Sequence, residues 1–126
     1  MIQVIVIEAG KMPYTKIIES GLDSLQSAVG GYIEAIYPWD DPVCIICNEN
    51  GKLDGLVLNR ALRDEDGDIY DVIAGTFLIA GLGDEDFTSV PLDLIEKYLQ
   101  LYERPEAFIK TPRGVLVYPA LDHVMM

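Results

Sequence analysis

Val43-Cys44-Ile45-Ile46-Cys47, set between the turn Pro38-Trp39-Asp40-Asp41-Pro42 and the dipeptide Asn50-Gly51, is the stretch that decides the fold. Five apolar residues in a row, bounded by turn formers, have the length and β-branched content of a buried strand. Just upstream, residues 32–37 alternate apolar and polar around Glu34 and predict a strand leading into the turn. Downstream, Asn50-Gly51 favours the type I′ turn of a two-residue hairpin. Residues 52–58 are therefore expected to return alongside residues 43–47, with Gly55 weakening that strand.

Further out, Gln3-Val4-Ile5-Val6-Ile7-Glu8 predicts a buried first strand ending at Gly10. Leu22, Leu25 and Val29 recur at helical spacing, with Ser20 as the expected cap and Gly30-Gly31 as the stop. Asp66-Gly67 signals a second hairpin that leads into the apolar run 69–82, within which Gly75 suggests a bulge or a close backbone approach. A second helix starts near Ser89 and Pro91, carries Leu92, Ile95, Leu99 and Tyr102 on one face, and stops before Pro105. Thr111-Pro112-Arg113-Gly114 is a turn ahead of a last strand at residues 115–118. Together these elements predict an α+β fold in a single domain, residues 1–126. Its mainly antiparallel sheet is built from two hairpins plus the N-terminal strand, with two helices packed on one face.

Half of the 126 residues are apolar, enough for a core without disulfide staples. Acids outnumber bases 21 to 9, a formal net charge of -12, and the single histidine is His123 near the end of the chain. This balance argues against direct binding to nucleic acid or an anionic membrane, and for a protein partner with a basic surface. No apolar stretch approaches the roughly 20 residues of a spanning helix, and the first residues lack a signal-peptide pattern. A cytoplasmic location with reduced thiols follows as an expectation. Exposed edges in a hairpin-rich sheet add homodimer pairing as a further one.

Cys44 and Cys47 have the spacing of redox and zinc motifs, but three residues apart on a strand they point to opposite faces. A zinc site would need two more ligands, so structural thiols, no metal and no cofactor are expected. Asp64-Glu65-Asp66-Gly67-Asp68 resembles the start of a calcium loop, yet Ile69 and Gly75 stand where that loop needs its glycine and its bidentate glutamate. A solvated hairpin tip explains the run. Asn59 and Arg60 form a candidate ligand-reading pair, since an arginine fork can hold a carboxylate or phosphate bidentately. Neutralisation of neighbouring carboxylates by Arg60 and Arg63 is the simpler alternative. Gly81-Leu82-Gly83 runs into Asp84-Glu85-Asp86, which would repel phosphate, and no nucleophile motif accompanies His123. No catalytic residue is assigned.

The acids themselves are unevenly placed. Residues 40–86 hold 12 acidic and 3 basic residues, a net of -9. Asp40, Asp41, Asp64, Glu65, Asp66, Asp84, Glu85 and Asp86 are thus candidate partner-binding residues, on a face that either confers solubility or imitates the phosphate row of duplex DNA. Trp39, the only tryptophan, is either an aromatic anchor inside this acidic rim or a turn residue folded over the core edge.

Four stretches resemble, in order, a known bacterial family. They are Gly30-Gly31-Tyr32-Ile33-Glu34-Ala35, Asn48-Glu49-Asn50-Gly51-Lys52, Leu58-Asn59-Arg60-Ala61-Leu62 and Ile73-Ala74-Gly75-Thr76-Phe77-Leu78. The family is domain of unknown function 3846, and the similarity covers about residues 3–104, leaving 105–126 as an extension. The resemblance implies a setting in phages, plasmids and other mobile elements, and supplies no catalytic residues. The leading expectation is a non-enzymatic accessory protein that binds a basic DNA-handling or defence protein through its acidic face. A module for an anionic metabolite or nucleotide, and an enzyme of unknown class, are the alternatives.

Overall fold

A computed structural model describes residues 1–120 of the chain, so His123 lies outside the described residues. The elements are β1 (Ile2–Ile7), β2 (Tyr14–Ile18), α1 (Leu22–Val29), β3 (Ile33–Ile36), β4 (Val43–Asn48), β5 (Leu58–Arg63) and β6 (Ile69–Ala74). They continue with β7 (Phe77–Leu82), β8 (Phe87–Thr88), α2 (Leu92–Leu101), β9 (Glu106–Thr111) and β10 (Gly114–Pro119). Six strands make the main sheet, in the order β2-β1-β7-β4-β3 with β8 added to β7, while β5 pairs with β6 and β9 with β10. All pairings are antiparallel. Among the described residues no helix is long and apolar enough to cross a membrane.

The central strands β1, β7 and β4 contain Val4-Ile5-Val6-Ile7, Phe77-Leu78-Ile79-Ala80 and Val43-Cys44-Ile45-Ile46, apolar at every position. Successive side chains on a strand point to opposite faces, so such runs require cover on both sides. On one side, Leu25 and Val29 of α1 pack against Val4, Val6, Cys44, Ile46 and Leu78. On the other, Tyr98 of α2 and Tyr102 at its C-terminal cap, with Leu62 and Ile73 of the β5–β6 hairpin, pack against Ile5, Ile7, Val43, Ile45, Phe77 and Ile79. The sheet-dominated α+β class is as expected. The placement of both helices on one face is corrected: each helix covers its own face, because the central strands are apolar on both.

The first expected hairpin is also corrected. β4 has β3 on one edge and β7 on the other, so the chain after Asn50-Gly51 finds no free edge to return along. Instead Asn48 Oδ1 accepts from the Asn50 amide at 2.8 Å, Leu56 N donates to Gly51 O at 2.9 Å, and the loop carries the chain out of the sheet to β5. β5 then pairs with β6 across the Asp66-Gly67 turn, as expected. The run 69–82, expected as one strand, is two strands in different sheets. Gly75, at φ 84, makes the turn between them, and its amide donates to Val57 O at 2.7 Å.

Strands β2 and β9 go beyond the sequence expectations. β2 is an almost wholly exposed outer strand, and β9 pairs with the expected last strand across the turn at residues 111–114. Helix α1 stops at Gly30 in the left-handed conformation, as expected, but starts at Gly21 without a side-chain cap, so Ser20 does not cap it. Helix α2 buries Tyr98 and packs Leu94, Ile95 and Leu99 on the core, whereas Leu92 is 82% exposed and lies off the apolar face. Ser89 is spent elsewhere, its Oγ accepting from the Gln3 amide at 2.8 Å and tying β1 to the approach of α2.

Gly81 marks the tightest crossing in this region. A Cβ there would sit 2.1 Å from Ser89 O, so Gly81→Ala has to move backbone. The expected cost is about 1–3 kcal/mol, read as a lower urea midpoint at an unchanged m-value. An unfolding midpoint equal to wild type would show that the β7–β8 crossing is not close.

Candidate functional site

Asn59 and Arg60 sit on β5, where the β5–β6 hairpin meets the main sheet and the end of α2. They are 0% and 1% exposed. Arg60 Nε and Nη2 donate to Tyr102 O at 3.3 and 3.0 Å, and Nη2 also donates to Lys11 O at 2.7 Å. Nη1 donates to Asn59 O at 3.2 Å and to Asn59 Oδ1 at 2.8 Å. A guanidinium has five N–H groups, and each has an acceptor here. Asn59 Nδ2 in turn donates to Ile7 O and to Gly75 O, both at 2.9 Å.

This pair therefore belongs to the interior and has no free donor with which to read a ligand. Nor does Arg60 neutralise a neighbouring carboxylate; its acceptors are carbonyls and an amide oxygen. Burial pulls its pKa down and the nearby Glu106 pushes it back up. Helix α2 has no basic residue in its own last turn, and Arg60 supplies the cation that the negative end of the helix dipole favours. Arg63 does pair with a carboxylate, Glu106 at 2.8 Å, which lies far along the chain and not in the adjacent acidic run.

Trp39 folds over the core edge, its ring 4.6 Å from that of Tyr98 and 6.4 Å from that of Tyr102. Next to it opens a cleft of about 340 Å³ between the end of α2 and the β5–β6 hairpin, lined among others by Trp39, Arg63, Tyr70, Tyr102, Arg104 and Glu106. The sequence offered no motif for this grouping. Tyr102 was legible only as a helix-face residue, and the pairing of Arg63 with Glu106 joins strands of two separate sheets.

The acids fall into distinct groups. Residues 64–68 cap the β5–β6 hairpin, and Asp84, Glu85 and Asp86 cap β7–β8. Asp40 and Asp41 lie at the same β7–β8 end of the main sheet, since Val43 pairs with Gly81 and Leu82 N donates to Pro42 O at 2.9 Å. Asp64, Asp66 and Asp68 each place a carboxylate oxygen within 4.8 Å of the others, the sole such grouping among the described residues. Asp64 Oδ1 already accepts from the amides of Asp66 at 2.9 Å and Asp68 at 3.0 Å, the hydrogen bonding of a hairpin tip. The two cysteines do lie on opposite faces, in separate cores. Burial pushes both thiols up to about 11, so neither is a thiolate near neutral pH.

Asp41 is tied down rather than presented. Its Oδ2 accepts from Lys97 Nζ and Tyr98 Oη, both at 2.6 Å, pinning the turn before β4 onto α2. The Lys97 hydrogen bond, then that from Tyr98, lowers its pKa below the ordinary 3.8. A depressed carboxylate stabilises the fold above its unfolded pKa and loses that contribution as pH falls through the folded value. Asp41→Asn is expected to lower the Tm near pH 7, with the gap to wild type closing in the acid range. A gap of constant size down to the acid limit would contradict this.

No curated protein and no solved structure gives a match to the chain. The model of the family described as Domain of unknown function (DUF3846) matches residues 2–103. The match opens with β1 and runs through Asn59, Arg60 and Tyr102, stopping short of the β9–β10 hairpin, and by it the chain belongs to the DUF3846 family.

Proposed function

We propose that this protein is a cytoplasmic, non-enzymatic accessory protein of a mobile genetic element, which binds a basic DNA-handling or defence protein through its acidic hairpin tips. The observation that carries this is charge left without a local partner. Residues 64–68 and 84–86 hold seven exposed carboxylates, and none is in a salt bridge among the described residues. The three salt bridges go instead to Asp71, Glu106 and Asp41. Clustered acids on turns create a local potential that attracts a cationic surface and speeds its encounter.

Two further features favour binding over chemistry. The thiols are neutral and separated, and the donors of the one buried arginine are all engaged. The tips belong to hairpins of different sheets, which suits a basic protein surface touched at two places better than a continuous imitation of a phosphate row.

The test is capture of the partner on the immobilised protein across a salt series. Exposed charges are screened within about 10 Å at 0.1 M salt and about 3 Å at 1 M, so capture is expected to fall steeply over that range. Replacing Asp64, Asp66 and Asp68 by Asn and Glu65 by Gln is expected to weaken it at every salt concentration below that. Retention unchanged at 1 M salt, or by the neutralised tip, would contradict the proposal.

A further inference from the structure

Tyr102 holds a hydroxyl that the fold does not use. The residue is 7% exposed, and its ring is fixed edge-on against Phe77 at 5.5 Å and Trp39 at 6.4 Å. Its backbone carbonyl serves Arg60, while its Oη has no hydrogen-bond partner among the described residues. Every fully buried side-chain polar atom there is hydrogen-bonded, so the unpartnered Oη is one that reaches open space. The open space is the cleft described above, which Tyr102 lines. Burial, then the nearby Tyr70 and Glu106, raises its pKa, which keeps the hydroxyl protonated and able to donate.

The surroundings of this hydroxyl differ from the rest of the surface. Three of the nine basic residues, Arg60, Arg63 and Arg104, line the cleft against two acids, Glu103 and Glu106. On a chain of net charge -12, this is a local excess of positive charge. Arg60 contributes its field but no donor, and Arg63 is shared with Glu106. Arg104 is exposed and in no salt bridge among the described residues. Trp39, Tyr70 and Tyr102 offer aromatic surface beside these charges. The volume of about 340 Å³ is that of a small-molecule pocket.

We infer that this cleft binds a small ligand made of a planar ring bearing one compact oxyanion, with the ring against Trp39 and Tyr70, the Tyr102 hydroxyl donating to the ligand, and Arg104 holding the anion. Carboxylate and phosphate share this chemistry, and a guanidinium recognises both. The site is separate from the acidic tips, so neutralising the tips leaves it intact.

Trp39, the sole tryptophan, reports on the cleft directly. Its emission is followed while the full chain is titrated with adenosine 5′-monophosphate as the phosphate probe, benzoate as the carboxylate probe and adenosine as the uncharged control. A saturable change with at least one anionic probe is expected, with the uncharged control weaker by about tenfold or more. Tyr102→Phe removes only the oxygen and is expected to weaken binding about tenfold at an unchanged Tm, since it takes one hydrogen bond from the ligand and none from the fold. Arg104→Ala should weaken the anionic probes alone. The inference is overturned by the absence of a saturable change with both anionic probes up to about 10 mM, a concentration well above millimolar affinity. Undiminished binding to Tyr102→Phe would also overturn it. So would a clear fall in the Tm of that variant, which would make the hydroxyl an internal donor.

Discussion

The guanidinium of Arg60 is the point at which the parts of this fold are joined. Its five N–H groups close on carbonyls from the segment after β1, from the end of α2 and from its own strand, with Asn59 completing the set. Through Asn59 the same network reaches Ile7 and the Gly75 turn. A buried charge without a carboxylate is tolerable only when every donor is satisfied and the acceptors are dipoles aimed at it. The negative end of α2 provides part of that field. Were the fork removed, Tyr102 O and Lys11 O would each lose their Arg60 donor, at about 1–3 kcal/mol apiece if left unsatisfied.

This constraint explains which parts of the molecule were legible in the sequence. Runs such as Val43-Cys44-Ile45-Ile46 announce strands through local pattern alone, and Leu25 and Val29 announce a helix face. What pattern does not carry is which edge each strand uses. Asn50-Gly51 is a good hairpin dipeptide, but β3 and β7 occupy both edges of β4, so the turn becomes an exit. The apolar run 69–82 was legible as extended chain, whereas its division at Gly75 follows from tertiary contacts with Val57 and Asn59. The uninterrupted apolar character of the three central strands did contain the need for cover on both faces, the feature that separates the two helices.

The same distinction applies to the candidate sites. Asn59 and Arg60 are polar residues set between Leu58 and Ala61-Leu62, a pattern that fits a ligand reader and a buried clamp equally well until the carbonyls are seen around the fork. The acids were legible as an excess, and the fold sorts them into those that are tied, such as Asp41 on Lys97 and Tyr98, and those left on hairpin tips. The Tyr102 cleft was invisible because Trp39, from the turn before β4, and Arg63, from β5, are brought by the fold to Tyr102 and Arg104 after α2. Seven of the acids thus sit outward on two hairpin tips, while three of the four arginines are gathered where α2 ends.

Native-state hydrogen exchange of Arg60→Lys tests the clamp most directly, because lysine keeps the charge but has three donors in place of five. Amides of β5, β6 and the last turn of α2 are expected to lose protection together, by about 1–3 kcal/mol, while β4 and the centre of β7 keep more of theirs. Protection unchanged from wild type in all these elements, as expected if Arg60 served a ligand rather than the fold, would contradict it.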